Sequence, residues 1–175
     1  MSLDVTPTNS GPRADGVAAT AEQYLTFMLN GEEYGVDILR VQEIKGWESA
    51  TDIPNTPAYI RGVINLRGTI VPVVDLRRRF DMANVEYTST TVVIVLKVRA
   101  DAVHERTMGF IVDAVSDVYN VTPEQLRSAP DFGIEVQVDY VKALATVDDK
   151  MVILLDIDQL IGADAAFGDA AIVPH

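Results

Sequence analysis

The chain contains no cysteine. Disulfides, thiol nucleophiles and cysteine-ligated zinc or iron–sulfur centres are excluded at once. Histidine is nearly as scarce. His104 lies in a polar stretch, "RADAVHERT", and His175 is the last residue; neither has a neighbour suited to base catalysis. No segment matches a phosphate-binding loop, a dinucleotide-binding glycine motif or a nucleophile elbow. Positive charge is also short, with 14 Lys and Arg against 26 Asp and Glu and a net charge of −12. That balance works against general nucleic-acid binding, which displaces counterions with cations, and against attraction to anionic lipid. Aromatics, at 7%, are not interleaved with cations as a base-stacking platform requires. Long apolar runs are missing as well: "VVIVL" at 92–96 is strand-sized and far below a membrane span. The N-terminal stretch lacks the basic start and apolar run of an export signal. These absences lead us to expect a cytoplasmic protein with no cofactor, no metal, no nucleic-acid partner and no direct membrane insertion.

What is present is a hydrophobic content of 48% over 175 residues, enough for one domain or two small fused ones. Residues 1–20 are rich in Thr, Ser, Gly, Pro and Ala, and 163–175 are similar; both read as mobile tails. Between them the signal is mainly β. "YLTFML" and "EEYGV" flank Asn30-Gly31, a strong hairpin cue because both turn positions need positive φ. "TVVIVLKV" (91–98) reads as a strand buried on both faces, and "MGFIVDAV" (108–115), "VKALATV" (141–147) and "MVILL" (151–155) as further strands. Pro72 inside "TIVPVV" predicts an edge strand or a bulge. Short helices are expected after Thr56-Pro57 and at the Thr122…Gln125 capping box. Two more are expected after Asp75 and Asp156, the latter ending at Gly162.

The chain also repeats itself. Tyr59, Ile60 and Arg61 match Tyr140, Val141 and Lys142 at an offset of 81, and Val71, Asp75, Leu76 and Phe80 match Val152, Asp156, Ile157 and Ile161 at the same offset. Gly35, Val41 and Glu43 match Gly109, Val115 and Asp117 at an offset of 74. Shared β composition could produce isolated matches of this kind. The preserved order of both blocks favours two copies of one small β unit, two barrels that close their own edges.

A search for chemistry finds no marked site. Asp148-Asp149 reads as a strand turn and Asp156 as a helix cap, rather than as metal ligands. Arg77, Arg78 and Arg79 read as one solvated helix face. Arg67 stands apart in Asn65-Leu66-Arg67-Gly68, a tight turn between apolar strands. It is either a forked donor for a partner carboxylate or a structural mate of Glu43, and spacing alone leaves both open.

Three blocks together, "EEYGVDILRVQEI", "IPNTPAYIRGVINLRGTIVPVVDLRRRF" and "GFIVDAVSDVYNVTPEQLRSAPDF", resemble the CheW family of chemotaxis coupling proteins over residues 22–162. The resemblance implies a mainly β fold of two SH3-like five-stranded barrels around a shared hydrophobic core, divided near 22–90 and 91–162 with a possible strand crossover. It implies no enzymatic activity. The implied role is an adaptor between chemoreceptor cytoplasmic tips and the regulatory domain of the histidine kinase CheA, peripheral to membrane receptor arrays. Carried over by position, Val41, Glu43, Leu66, Arg67 and Val112 fall on the receptor-binding side. Ile53, Arg127, Asp131 and Phe132 fall on the kinase-binding side. Phe132 is an interface anchor in this reading and a core plug in the alternative. The "RADAVHERT" insertion lengthens one hairpin beyond the shortest family members. Without a receiver domain, the chain is less similar to the two-part CheV proteins. A CheW-like adaptor for pilus motility or another chemosensory-like kinase system is the alternative. The rival classes are a small hydrolase with an unmarked carboxyl pair and a nucleic-acid-binding double barrel.

Overall fold

A computed structural model describes residues 21–83, 85–99, 105–127 and 140–162. Turn chemistry sets the local frame. Asn30 and Gly31, with φ of 52° and 85°, join β1 (Glu22–Leu29) to β2 (Glu32–Asp37). Arg67 and Gly68, at 51° and 88°, join β4 (Ile60–Leu66) to β5 (Thr69–Asp75) in the same way. Asp148 and Asp149, at 51° and 65°, join β10 (Val141–Val147) to β11 (Lys150–Leu155) as a strand turn. The remaining strands are β3 (Val41–Gly46), β6 (Val92–Arg99), β7 (Glu105–Val112), β8 (Ala114–Val121) and β9 (Leu126–Arg127). The run 108–115 is thus two strands broken at Asp113.

Short helices follow the predicted caps. Asp75 precedes α1 (Leu76–Arg79) and accepts from the Arg77 amide at 3.0 Å. Asp156 precedes α2 (Ile157–Gly162) and accepts from the Gln159 amide at 3.0 Å. The Gln125 side chain reaches back to the Thr122 amide at 2.8 Å, opening a 3₁₀ turn over Pro123–Gln125. A second 3₁₀ turn, Ile38–Arg40, links β2 to β3. The helix expected after Thr56-Pro57 does not form. The Thr56 hydroxyl instead donates backward to the Ile53 carbonyl at 2.9 Å.

The strands form two sheets. Sheet 1 has the order β8-β1-β2-β11-β10-β9, and sheet 2 the order β3-β6-β7-β5-β4. The division does not follow 22–90 and 91–162. The first hairpin, β1–β2, sits in sheet 1 with late strands, and β6–β7 sits in sheet 2 with early ones. The crossover satisfies a pairing need: each copy joins two hairpins through a central parallel pair, which no tight turn can connect. In sheet 1 the parallel pair aligns Leu154 with Gly35; in sheet 2 it aligns Val73 with Gly109. These pairs are the same two positions displaced by 81 and 74 residues. The bulges repeat too, at Val141/Ala143 in β10 and at Ile60/Gly62 in β4. So do the tertiary hydrogen bonds from Asp156 N to the Tyr140 carbonyl (2.9 Å) and from Asp75 N to the Tyr59 carbonyl (2.8 Å).

Pro72 lies inside sheet 2, not on an edge strand. It is tolerated because β5 pairs with β7 only from Val73 onward, so the missing N–H faces no ladder. Three clusters of apolar side chains hold the frame. One is shared, drawing Phe27, Tyr34 and Leu155 from sheet 1 and Leu96, Phe110 and Val112 from sheet 2. Sheet 1 keeps its own cluster, including Tyr24, Val121, Val152 and Leu154; sheet 2 keeps Val73, Val93, Val95 and Ile111. Each fully buried aliphatic or aromatic side chain contributes about 1.5–3 kcal/mol relative to exposure.

Candidate functional site

In sheet 2 the first and last strands of the order, β3 and β4, leave a seam. The turn after β4 spans it. Arg67 Nη2 donates to Glu43 Oε1 of β3 at 2.6 Å. The Arg67 side chain remains 74% exposed, so pairing and display coexist. Asn65 Oδ1 accepts from the Gly68 amide at 2.8 Å and fixes the turn that carries Arg67. The guanidinium holds the Glu43 carboxyl below the ordinary glutamate value, chiefly through this hydrogen bond. Further along the seam is a groove of about 230 Å³ between Lys45 and Gly46 on one side and Val63, Ile64 and Asn65 on the other. The 47–51 segment closes it, with Thr51 paired to Val63 as a single antiparallel bridge. Gly62 makes that approach possible, because a Cβ there would lie 2.3 Å from the Thr51 carbonyl oxygen.

The other predicted positions divide. Val41 is half-buried against the shared core, beside Leu96. Leu66 is half-buried against the sheet 2 cluster. Val112 has no exposed surface and packs in the shared core, which corrects its place among groove-lining residues. It pairs with Val92 at the start of β6, while Val41's partner Leu96 lies roughly 13 Å further along at strand rise. Ile53 is half-buried in the turns after Thr51. Arg127 is exposed on β9, donating to the carbonyls of Glu124 (3.1 Å) and Leu126 (3.0 Å). Asp131, Phe132, His104, His175 and both tails lie outside the described residues.

The arginine run is not a solvated face. Arg78 is exposed, but Arg77 is fully buried. Arg77 pairs with Asp75 (2.8 Å) and Asp113 (2.7 Å) and lies 4.9 Å from the Tyr87 ring centre. Burial favours its neutral form, but its hydrogen bonds to the two carboxylates outweigh that and hold it charged. Arg79 lies between two repeat-related rings, 5.1 Å from Tyr59 and 4.8 Å from Tyr140, and donates to the Tyr140 hydroxyl at 2.6 Å. The four-residue helix cannot face three consecutive side chains to solvent while it rests on the core.

Sequence reasoning also passed over an aromatic stack. Trp47 and Tyr87 lie 5.2 Å apart, and the Arg61 guanidinium is 5.4 Å from one ring and 5.8 Å from the other. Arg61 donates to Asp52 at 3.0 Å, and the Tyr87 hydroxyl donates to Asp75 at 2.6 Å. This cluster braces the 47–53 segment. The repeat carried a hint of it, since Lys142, the counterpart of Arg61, lies 5.1 Å from the Tyr24 ring.

Comparison with known proteins gives a consistent result. Residues 23–165 match the model of the CheW-like domain. The chemotaxis protein CheW of Klebsiella aerogenes is 46% identical over 82% of this chain and 83% of its own length. The CheW of Bacillus subtilis is 31% identical over 84% of this chain and 91% of its own. The crystal structure of scaffolding protein TtCheW from Thermoanaerobacter tengcongensis superposes with a TM-score of 0.72 at 33% identity, covering 80% of this chain and 92% of that one. With two barrels sharing one core and a family match across nearly all described residues, the chain belongs to the CheW-like domain family.

Proposed function

We propose that the chain is a non-enzymatic adaptor that couples chemoreceptor cytoplasmic tips to the histidine kinase CheA. The chemotaxis names of its relatives support this over a pilus-motility role. The observation that carries the proposal is the pairing of two equivalent outer edges on one frame. Thr51 pairs with Val63 at the edge of sheet 2, and Arg127 pairs with Leu144 at the edge of sheet 1; Val63 and Leu144 are related by the 81-residue offset. One molecule thus presents the same geometry twice, as a link between two neighbours requires. Ile53 and Arg127 stand at these edges and are assigned to the kinase side, together with Asp131 and Phe132. The seam carrying Val41, Glu43, Leu66 and Arg67 is assigned to a receptor helix tip, with the ion pair setting its register.

Calorimetry with the regulatory domain of the cognate CheA, and separately with a receptor cytoplasmic fragment, tests both assignments. Saturable one-to-one binding to each is expected. Arg67→Glu should abolish the receptor isotherm and leave the kinase isotherm unchanged. Absence of binding to either partner by the folded parent chain overturns the proposal.

A further inference from the structure

We infer that the Arg40–Asp158 ion pair sets the angle between the two sheets. Its consequence, the spacing of the two outer edges, rests on the adaptor reading; the geometry does not. Among the described residues the chain passes between the sheets at Ile38–Arg40, from β2 to β3, and at Asp113, from β7 to β8. Leu39 and Asp113 are related by the 74-residue offset, so these are the same point in the two copies. Each crossing is tied to the second residue of a helix, Asp158 in α2 and Arg77 in α1, and these are related by the 81-residue offset. At one crossing the acid Asp113 meets Arg77 at 2.7 Å. At the other the cation Arg40 meets Asp158 with two hydrogen bonds of 2.9 and 2.6 Å. The polarity is reversed and the placement kept.

The two ties differ in burial. Arg77 has no exposed side-chain surface and is held by Asp75 as well. Arg40 and Asp158 are 26% and 29% exposed beside a cleft of about 200 Å³ that Asp37 and Lys142 also line. Solvent reaches both members of this pair, whereas at the other crossing it reaches only Asp113, 34% exposed, and not Arg77. Arg40 also donates to the Lys97 carbonyl at 3.0 Å, and Asp158 accepts from the Arg99 amide at 2.8 Å. The pair therefore fastens α2 of sheet 1 to β6 of sheet 2 across the crossing. The Asp113 crossing is the fixed point of the hinge, and Arg40–Asp158 is where the angle can change.

The absence of cysteine allows a direct test. Spin labels at Ser49→Cys, exposed in the segment after β3 of sheet 2, and Glu124→Cys, exposed in the 3₁₀ turn between β8 and β9 of sheet 1, report the distance between the sheets. A single narrow distribution is expected in the parent chain. Arg40→Glu should shift and broaden it with far-UV circular dichroism unchanged. Arg40→Glu with Asp158→Lys should move it back. An unchanged distribution in folded Arg40→Glu, or no recovery in the double variant, overturns the inference. Should Arg40→Glu fail to fold, Arg40→Gln removes the charge pair without repulsion and is held to the same criterion. Joint assembly with receptor fragment and kinase is scored separately. A shifted distance with unimpaired assembly retains the hinge and overturns its role in spacing.

Discussion

Sheet 1 and sheet 2 are built on one plan and finished with different chemistry. The turn that carries Arg67-Gly68 in sheet 2 carries Asp148-Asp149 in sheet 1, with nearly the same first φ of 51°. Opposite that turn stands Glu43 in one copy and Asp117 in the other, so one seam is bridged by an ion pair and, among the described residues, the other is not. Position 95 is Val in sheet 2. In sheet 1 its counterpart is Thr26, whose hydroxyl donates to the Asp117 carbonyl and accepts from the Asp117 amide, both at 3.0 Å, at the β8 bulge. Duplication thus preserves backbone pairing, which hydrogen bonding makes obligatory. Side chains at the seams and edges are free to diverge, as Glu43 and Asp117 do.

The comparison breaks most sharply at the buried ion pair. Arg77→Met leaves Asp75 buried without its cation and should cost about 3–5 kcal/mol in urea denaturation. Its counterpart Asp158→Asn, in a half-exposed pair, should cost about 1 kcal/mol or less. Equal losses would mean that burial does not distinguish the two crossings.

The central glycines sharpen the comparison next. A Cβ on Gly109 would lie 2.8 Å from Val93 Cγ1, a stiff β-branched neighbour. A Cβ on Gly35 would lie 2.9 Å from Leu154 Cδ2, the end of a more flexible side chain. Each alanine variant should destabilise by about 1–3 kcal/mol, with Gly109→Ala the larger. The reverse order in thermal melts would show that neighbour stiffness does not decide the cost.

The smallest effect concerns protons at the seam. Because Glu43 is held below its ordinary value, its pair with Arg67 is complete above that value and is lost as pH falls through the lower one. Carboxyl resonances followed by NMR should show the Glu43 midpoint rising in Arg67→Gln. A midpoint unaffected by the substitution would show that the pair does not form in solution.

Local features were legible because they depend on a few adjacent residues. Asn30-Gly31 and Asp148-Asp149 turn where their conformational freedom allows, Asp75 and Asp156 cap the helices that follow them, and the repeats at 81 and 74 are visible as ordered matches of like residues. The resemblance of "INLRG" and its flanks to one family located the seam. What the sequence left open required knowing which strands lie side by side. Pro72 read as an edge signal, but its lack of an N–H matters only from the residue at which β7 begins to pair. Arg77 read as surface charge in a run of three, until the fold brought Asp113 across a crossing 36 residues away to neutralise it. Val112 read as groove-lining, but the sheets close over it. Composition and spacing record what each residue can do alone; burial and ion pairing are set by partners far along the chain, and only the tertiary structure supplies them.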